Sequence, residues 1–461
     1  MRPTTLGLPG PGALDMALRL QSIRADPLSF LQEVQQRYGD HVAFPAPGPP
    51  VLLLNAPEDI RRVLQEHSRS WTKHTVQYQT LARVTGPGLL ASAQSDWLSR
   101  RRIAGPAFHH ERVDAMAATM REAAGDLLPT WGRPISGVAG ERTIEVDVEA
   151  MATDVTLRVV GRALFGYDLS SVGERLTRAT AAAAELIVAL ARAVIPVPAA
   201  VPTPLNRRLR AATQELDQVC RQLIADRRRA GGDEPDLLGQ LLAAGLTDRA
   251  VRDELVTMVV AGHETVATAL MWTLLLLARH PEAQQRLRRE LAALRPAHGS
   301  ATGGLPAAAL LRALPWTRAV IDESLRLYPP AWVMSRRARS ADLVAGRHVP
   351  PGTLAIVSPW LVHRTSPSWE APEAFRPERF LGTGTSARAD YLPFGLGPRL
   401  CIGRDMALLE LVVLLTELLR EHTVSMRPGS GLPGRDAFIT VRPHGGLRLR
   451  FTSAAPGEAA T

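Results

Sequence analysis

The stretch Phe394-Gly395-Leu396-Gly397-Pro398-Arg399-Leu400-Cys401-Ile402-Gly403 sets one cysteine between a glycine- and proline-punctuated loop and an apolar helical run. A thiol at a helix N-terminus meets unpaired backbone N–H groups and the positive end of the helix dipole. Both favour the thiolate, the form that ligates a metal. Arg399 adds a nearby cation, and Gly397 and Gly403 would let the backbone approach a flat, bulky group where a Cβ would collide. Alone, a single cysteine reads first as a small buried hydrophobe. Three other groupings carry chemistry of their own. Ala261-Gly262-His263-Glu264-Thr265 puts a glycine, a carboxylate and a hydroxyl inside an otherwise apolar helical run. The glycine costs ~1 kcal/mol relative to alanine there, and a buried carboxylate costs more unless paired. The bland alternative is a kink with Glu264 reaching solvent. Trp97 and Arg101, four apart, share a helix face and offer an indole N–H and a guanidinium to a carboxylate, or else belong to a solvated basic helix. Glu323 and Arg326, three apart on a helix, are within salt-bridge reach, ordinarily as a weak surface pair.

The elements that must position these residues are mainly helical. Residues 27–38 read as an amphipathic helix, 41–55 as two strands around a Pro/Gly turn, and 56–67 as the next helix. Residues 72–94 read as mostly irregular. A helix opens near Asp96, and residues 113–229 are helical nearly throughout, broken at 137–140, at Gly166 and at the proline-rich turn 196–204. Thr247-Asp248 starts a helix with no proline before Pro281, ~50 Å long at 1.5 Å per residue. A helix over 314–327 follows, then strands over 333–357, a long loop over 360–391, an amphipathic helix over 402–421 and a hairpin over 437–452. Residues 1–26 read as an N-terminal extension and 453–461 as a disordered tail of a single 461-residue domain.

Composition narrows the function classes. The formal net charge is +9, but Lys73 is the only lysine and arginine supplies the rest. Arginine clusters at 100–102 and 227–229 come without any recognised nucleic-acid module, so nucleic-acid binding is not expected. A positive face for an acidic redox protein uses the same electrostatics. Two cysteines, Cys220 and Cys401, support neither a disulfide framework nor a zinc cluster, which fits a reducing cytoplasm. No uninterrupted run of ~20 apolar residues provides a membrane span; a soluble protein is expected.

In this order and spacing the pieces resemble the cytochrome P450 family of haem-thiolate monooxygenases, over essentially the whole chain. The resemblance implies that family's fold: mainly α, a large helical domain with a smaller β-sheet-rich lobe, the haem lying between the long central helix and the cysteine loop. It implies that Cys401 supplies the thiolate to the iron, with Phe394, Gly397, Arg399 and Gly403 matching the rest of the ligand loop. Arg399, Trp97, Arg101 and Arg336 would hold the haem propionates, with Arg337 competing for the role of Arg336. Glu323 and Arg326 would lock onto Arg379 in a buried triad. Gly262 would open a notch for dioxygen, and Thr265, with Glu264 behind it, would deliver protons. Arginine at 399 replaces the histidine that many soluble bacterial members carry. The implied cofactors are haem b, O2 and electrons from external NAD(P)H. The implied partners are a hydrophobic small molecule and a ferredoxin or flavodoxin with its reductase, serving a cytoplasmic monomer. Residues 74–92, 186–204, 260–265 and 331–334 and the tip Phe438-Ile439 would line an apolar substrate pocket. A terpenoid, a polyketide-like natural product and a fatty acid remain open as substrates, by hydroxylation or epoxidation. The alternatives are a peroxide-using or O2-independent haem-thiolate enzyme, and a non-catalytic haem sensor.

Overall fold

The computed structural model describes residues 6–46, 48–127, 142–191, 200–231, 235–294, 306–365, 367–382 and 389–453. Its centre is the helix Asp248–Arg279. The Thr247 hydroxyl caps it by accepting from the Ala250 N–H, and it ends at His280, ahead of the helix Pro281–Ala293. By length and composition it would suit a membrane, yet it is buried in the core. It packs along Val148–Phe165, which Asp147 caps and Gly166 ends in the left-handed conformation that glycine takes without strain. Gly262 lies at this crossing: a Cβ there would meet Val160 Cγ2 at 2.9 Å. Close helix packing accounts for the glycine, and the helix runs through it unbroken. This packing contact is a constraint on Gly262 separate from the dioxygen notch expected there.

A five-stranded sheet forms the smaller lobe in the order His41–Phe44, Val51–Leu54, Leu354–Val357, Met334–Ala338, Trp71–Thr72. Only Val51–Leu54 and Leu354–Val357 pair in parallel. The N-terminal segment is tied to this lobe, because Ala43 N donates to Pro9 O at 2.8 Å and Leu6 and Leu8 pack on its core.

Several expected elements differ. Residues 72–94 contain the helix Val76–Thr85, closed by Gly86 at φ 67°; the flanking glycines hide an amphipathic run. The 360–391 loop begins as the helix Pro359–Thr365. The C-terminal strands do not form one hairpin: Arg435–Ala437 pairs with Val441–Pro443, whereas Arg448–Ser453 lies between Thr143–Asp147 and His422–Met426. The strand Thr143–Asp147 falls inside the span expected to be helical. The breaks at 137–140 and much of the 196–204 turn, like residues 454–461, lie outside the described residues.

The helix Arg404–Leu419 is buried on most of its surface rather than amphipathic. Glu410 sits on it fully enclosed, and its Oε1 has no hydrogen-bond partner among the described residues. Burial alone pushes its pKa well above the usual carboxyl range. The folded state then holds a proton that the unfolded chain releases, so stability falls as pH rises above the ordinary glutamate value. Glu410→Gln is expected to flatten that loss, raising the neutral-pH unfolding midpoint while leaving the midpoint near pH 4 unchanged.

The Glu323/Arg326 pair is fully buried. Arg326 donates to both Glu323 oxygens at 2.7 and 2.9 Å and to the carbonyls of His363, Pro372 and Ala374 at 2.8, 2.7 and 3.2 Å. Glu323 Oε1 also accepts from Arg376 N at 2.8 Å and, less closely, from Arg379 Nε at 3.4 Å. This network pins the loop after residue 365 onto the helix Pro315–Leu327. His363 extends it toward the cysteine loop: Nδ1 bonds Arg326 O at 3.0 Å and Nε2 accepts from Leu392 N at 2.7 Å. That pattern requires a neutral ring, and burial pushes its pKa down to about 3. The stability it contributes is complete above an ordinary histidine pKa of ~6.5 and is lost as pH falls toward 3, by up to ~1.4 kcal/mol per pH unit. Denaturant midpoints measured across that window should decline steadily, and less steeply in His363→Gln.

Candidate haem-thiolate site

The residues around Cys401 come from four separate parts of the chain. Gly397 has φ 72°, and a Cβ there would strike the Leu64 carbonyl at 2.1 Å. Its freedom is thus needed against the protein's own backbone, and at Gly403 a Cβ would make only ordinary contact with Phe108. These contacts give Gly397 a packing constraint of its own, separate from any approach to a bulky group. Cys401 N donates to Phe394 O at 3.0 Å, closing the loop just before the helix Arg404–Leu419. Phe394 is partly buried against the main core.

Cys401 is accessible to solvent, although surrounding protein raises its thiol pKa. Burial is the larger influence; the Gly403 N–H and the cations Arg101, Lys73 and Arg404 oppose it. The helix-terminus effect expected from the sequence is present but outweighed, so a bound cation is what would complete the thiolate.

Arg101 donates to Leu400 O at 3.0 Å, fastening the helix Gln94–Ala104 to the cysteine loop. Arg399 lies over the Trp97 ring at 4.2 Å and donates to Ser92 O and Gln94 Oε1 at 3.2 and 3.3 Å. Trp97 therefore serves as a buried platform for Arg399. Arg336 is buried on its strand and donates to Ser335 O at 2.9 Å and, at 3.4 Å, to Tyr78 OH. Strand alternation sends Arg337 to the other face, so Arg336 is the one of the two that lies with Lys73 and Arg399.

The sequence reading missed Lys73. It is buried, donates to Leu90 O at 3.2 Å and rests over the Tyr78 ring at 4.7 Å. Burial first, then repulsion from Arg336 and Arg399, lowers its pKa well below the usual lysine value. Its being the sole lysine in so arginine-rich a chain was the available signal. Arg399 is likewise pushed down to about 10, by burial and then by Arg336.

Lys73, Arg101, Arg336 and Arg399 thus converge without an ion-paired carboxylate among the described residues, and Arg399 Nη1 is buried with no acceptor. Such a cluster is costly unless anions enter it. A haem fits, with two carboxylates at its edge and a metal facing Cys401. Zinc-type chemistry does not, since no group of three His, Cys, Asp or Glu side chains suited to a metal occurs among the described residues.

On the central helix, Thr265 Oγ1 donates to Ala261 O at 2.7 Å. Glu264 is buried, and its Oε1 accepts from Thr440 Oγ1 at 2.9 Å and Arg442 Nη2 at 2.6 Å. Neither solvent nor Thr265 is its partner in this arrangement. The arginine clusters noted in the sequence are largely ion-paired: Arg100 with Glu254, Arg227 with Asp236, Arg228 with Asp248 and Arg229 with Asp226.

Comparison with known proteins agrees with this geometry. The Cytochrome P450 family profile matches residues 8–449. The chain is 31% identical over 442 residues to cyclooctat-9-en-7-ol 5-monooxygenase of Streptomyces melanosporofaciens, covering 94% of this chain and 92% of the relative. It is 30% identical over 460 residues to pentalenene oxygenase of Streptomyces avermitilis, covering 97% and 98%. The crystal structure of CYP175A1 from Thermus thermophilus superposes with a TM-score of 0.78 at 31% identity, covering 96% of this chain and 100% of that one. With its fold, its cation-lined cysteine site and its near-complete profile match, the chain belongs to the cytochrome P450 family.

Proposed function

We propose that this P450 monooxygenase oxygenates a hydrophobic terpenoid, with Cys401 as the iron ligand and Lys73, Arg101, Arg336 and Arg399 holding the haem carboxylates. The observation that carries the site assignment is the convergence of those four cations, unpaired among the described residues, beside an accessible thiol. When bound, the haem supplies the oxidising chemistry, and a thiolate ligand favours O–O cleavage. The chain's own residues do the rest. The Gly403 N–H and the nearby cations stabilise negative charge on the Cys401 sulfur. Thr265 and Glu264 would carry protons inward, and the Thr265 hydroxyl, which donates to Ala261 O at 2.7 Å, would have to leave that bond to give up its proton.

Apolar segments exclude water from the substrate. Leu89 N donates to Glu254 Oε2 at 3.0 Å, holding residues 86–90 on the central helix, and Trp332 Nε1 donates to Phe438 O at 2.9 Å, joining the 331–334 segment to the hairpin tip. Electrons come from an external ferredoxin or flavodoxin. The terpenoid class is favoured by the two Streptomyces relatives, whose names specify cyclooctat-9-en-7-ol and pentalenene as the compounds oxidised. Terpene hydrocarbons, terpene alcohols and fatty acids titrated into the ferric protein would test this. A low-to-high-spin shift with terpenoids and none with fatty acids is expected; the reverse pattern would reject the terpenoid assignment.

A further inference from the structure

The carboxylate of Glu264 points about 100° round the helix from Thr265 and is held by another part of the chain. Thr440 and Arg442 both bond its Oε1, and they sit at the tip and on the return strand of the hairpin formed by Arg435–Ala437 and Val441–Pro443. That hairpin is braced on two sides. Trp272 Nε1 donates to Val441 O at 2.7 Å from the central helix, while Trp332 Nε1 reaches Phe438 O and Val441 N donates to Pro330 O at 3.3 Å. Arg442 also approaches Glu149 at 3.8 Å, a carboxylate more than a third exposed. One braced element thus touches the buried carboxylate, the segment proposed to face substrate, and solvent.

We infer that Thr440 and Arg442 are positioning residues for Glu264, holding its carboxylate on the hairpin and linking it through Arg442 to Glu149 at the surface. The inference rests on the proposed role of Glu264 in proton delivery. Its physical basis is that a buried carboxylate takes the rotamer that keeps its charge paired, and here Arg442 supplies its only ion pair among the described residues. Arg442 meets both carboxylates at once, Glu264 through Nη2 at 2.6 Å and Glu149 through Nη1 at 3.8 Å, so its hold on Glu264 is the closer of the two.

The test uses the haem-loaded full chain without substrate, turned over with NADPH, a plant-type ferredoxin and its reductase. Dioxygen either takes two electrons and two protons and leaves as hydrogen peroxide, consuming one NADPH, or takes four of each and leaves as two waters, consuming two. Only the second outcome needs efficient proton delivery for O–O cleavage. Glu264→Gln and Arg442→Gln are each expected to raise the peroxide share several-fold, and the double variant to raise it no further than either alone. Arg442→Lys should restore most of the loss, and Thr440→Val should show a smaller rise. Haem content and the reduced carbon monoxide spectrum serve as controls for folding. An Arg442→Gln effect that adds fully to that of Glu264→Gln, or no change in partition when Arg442 is replaced, overturns the inference. If Glu264→Gln itself leaves the partition unchanged, the proton-delivery reading of Glu264 fails, and the positioning role falls with it.

Discussion

Cys401→Ser is expected to abolish monooxygenase turnover while leaving the chain folded. The substitution is nearly isosteric, and the loop is closed by the backbone bond from residue 401 to the Phe394 carbonyl, which serine keeps. What is lost is the anionic sulfur. A serine hydroxyl stays neutral at working pH and donates far less electron density to iron, so the push that favours O–O cleavage disappears. Haem binding should persist in weakened form, because the carboxylate clamp proposed for Lys73, Arg101, Arg336 and Arg399 is untouched. Haem retention by absorbance and product formation measured side by side separate the two effects. Turnover within a few-fold of the parent would remove Cys401 from the reaction.

The second large effect is on stability. Arg326→Leu removes the guanidinium that pairs Glu323 with no solvent access and that also satisfies the buried carbonyl of His363 and the part-buried ones of Pro372 and Ala374. Stranding a buried carboxylate costs about 3–5 kcal/mol, and the orphaned carbonyls add to that. Arg379 does not compensate, since its bond to Glu323 is 3.4 Å long and it stands nearer solvent. A fall in the denaturant midpoint of that size, with release of the cysteine loop through His363 and Leu392, is the expected result. A loss below ~1 kcal/mol, the range of a surface pair, would show that the network holds the loop less firmly than its geometry implies.

How far each residue was legible depended on whether its cause lay nearby in sequence. Cys401, Glu323 and Arg326 stand in local patterns, and their neighbours along the chain carry the information. The long central helix was readable for the same reason, since its cap at Thr247 and its stop before Pro281 are local features. The packing constraints on Gly262 and Gly397 come from Val160 and Leu64, which no spacing rule connects to them. Lys73 joins the cation cluster near Cys401 only through folding that brings residues 73, 101, 336 and 399 together. The pairing of Arg448–Ser453 with Thr143–Asp147 is likewise long-range, so a strand embedded among helices went unseen. The hold of Arg442 on Glu264 spans 178 positions and has no sequence signature.

The central claim is that Cys401 presents a thiolate to haem iron in the cation-lined site. The most direct measurement is the difference spectrum of the haem-loaded protein reduced with dithionite and exposed to carbon monoxide. The strongly red-shifted Soret band of a thiolate-ligated haem, absent in Cys401→Ser, is the result predicted. A band at the position of a histidine-ligated haem in the parent protein, or a red-shifted band that survives Cys401→Ser, would contradict it.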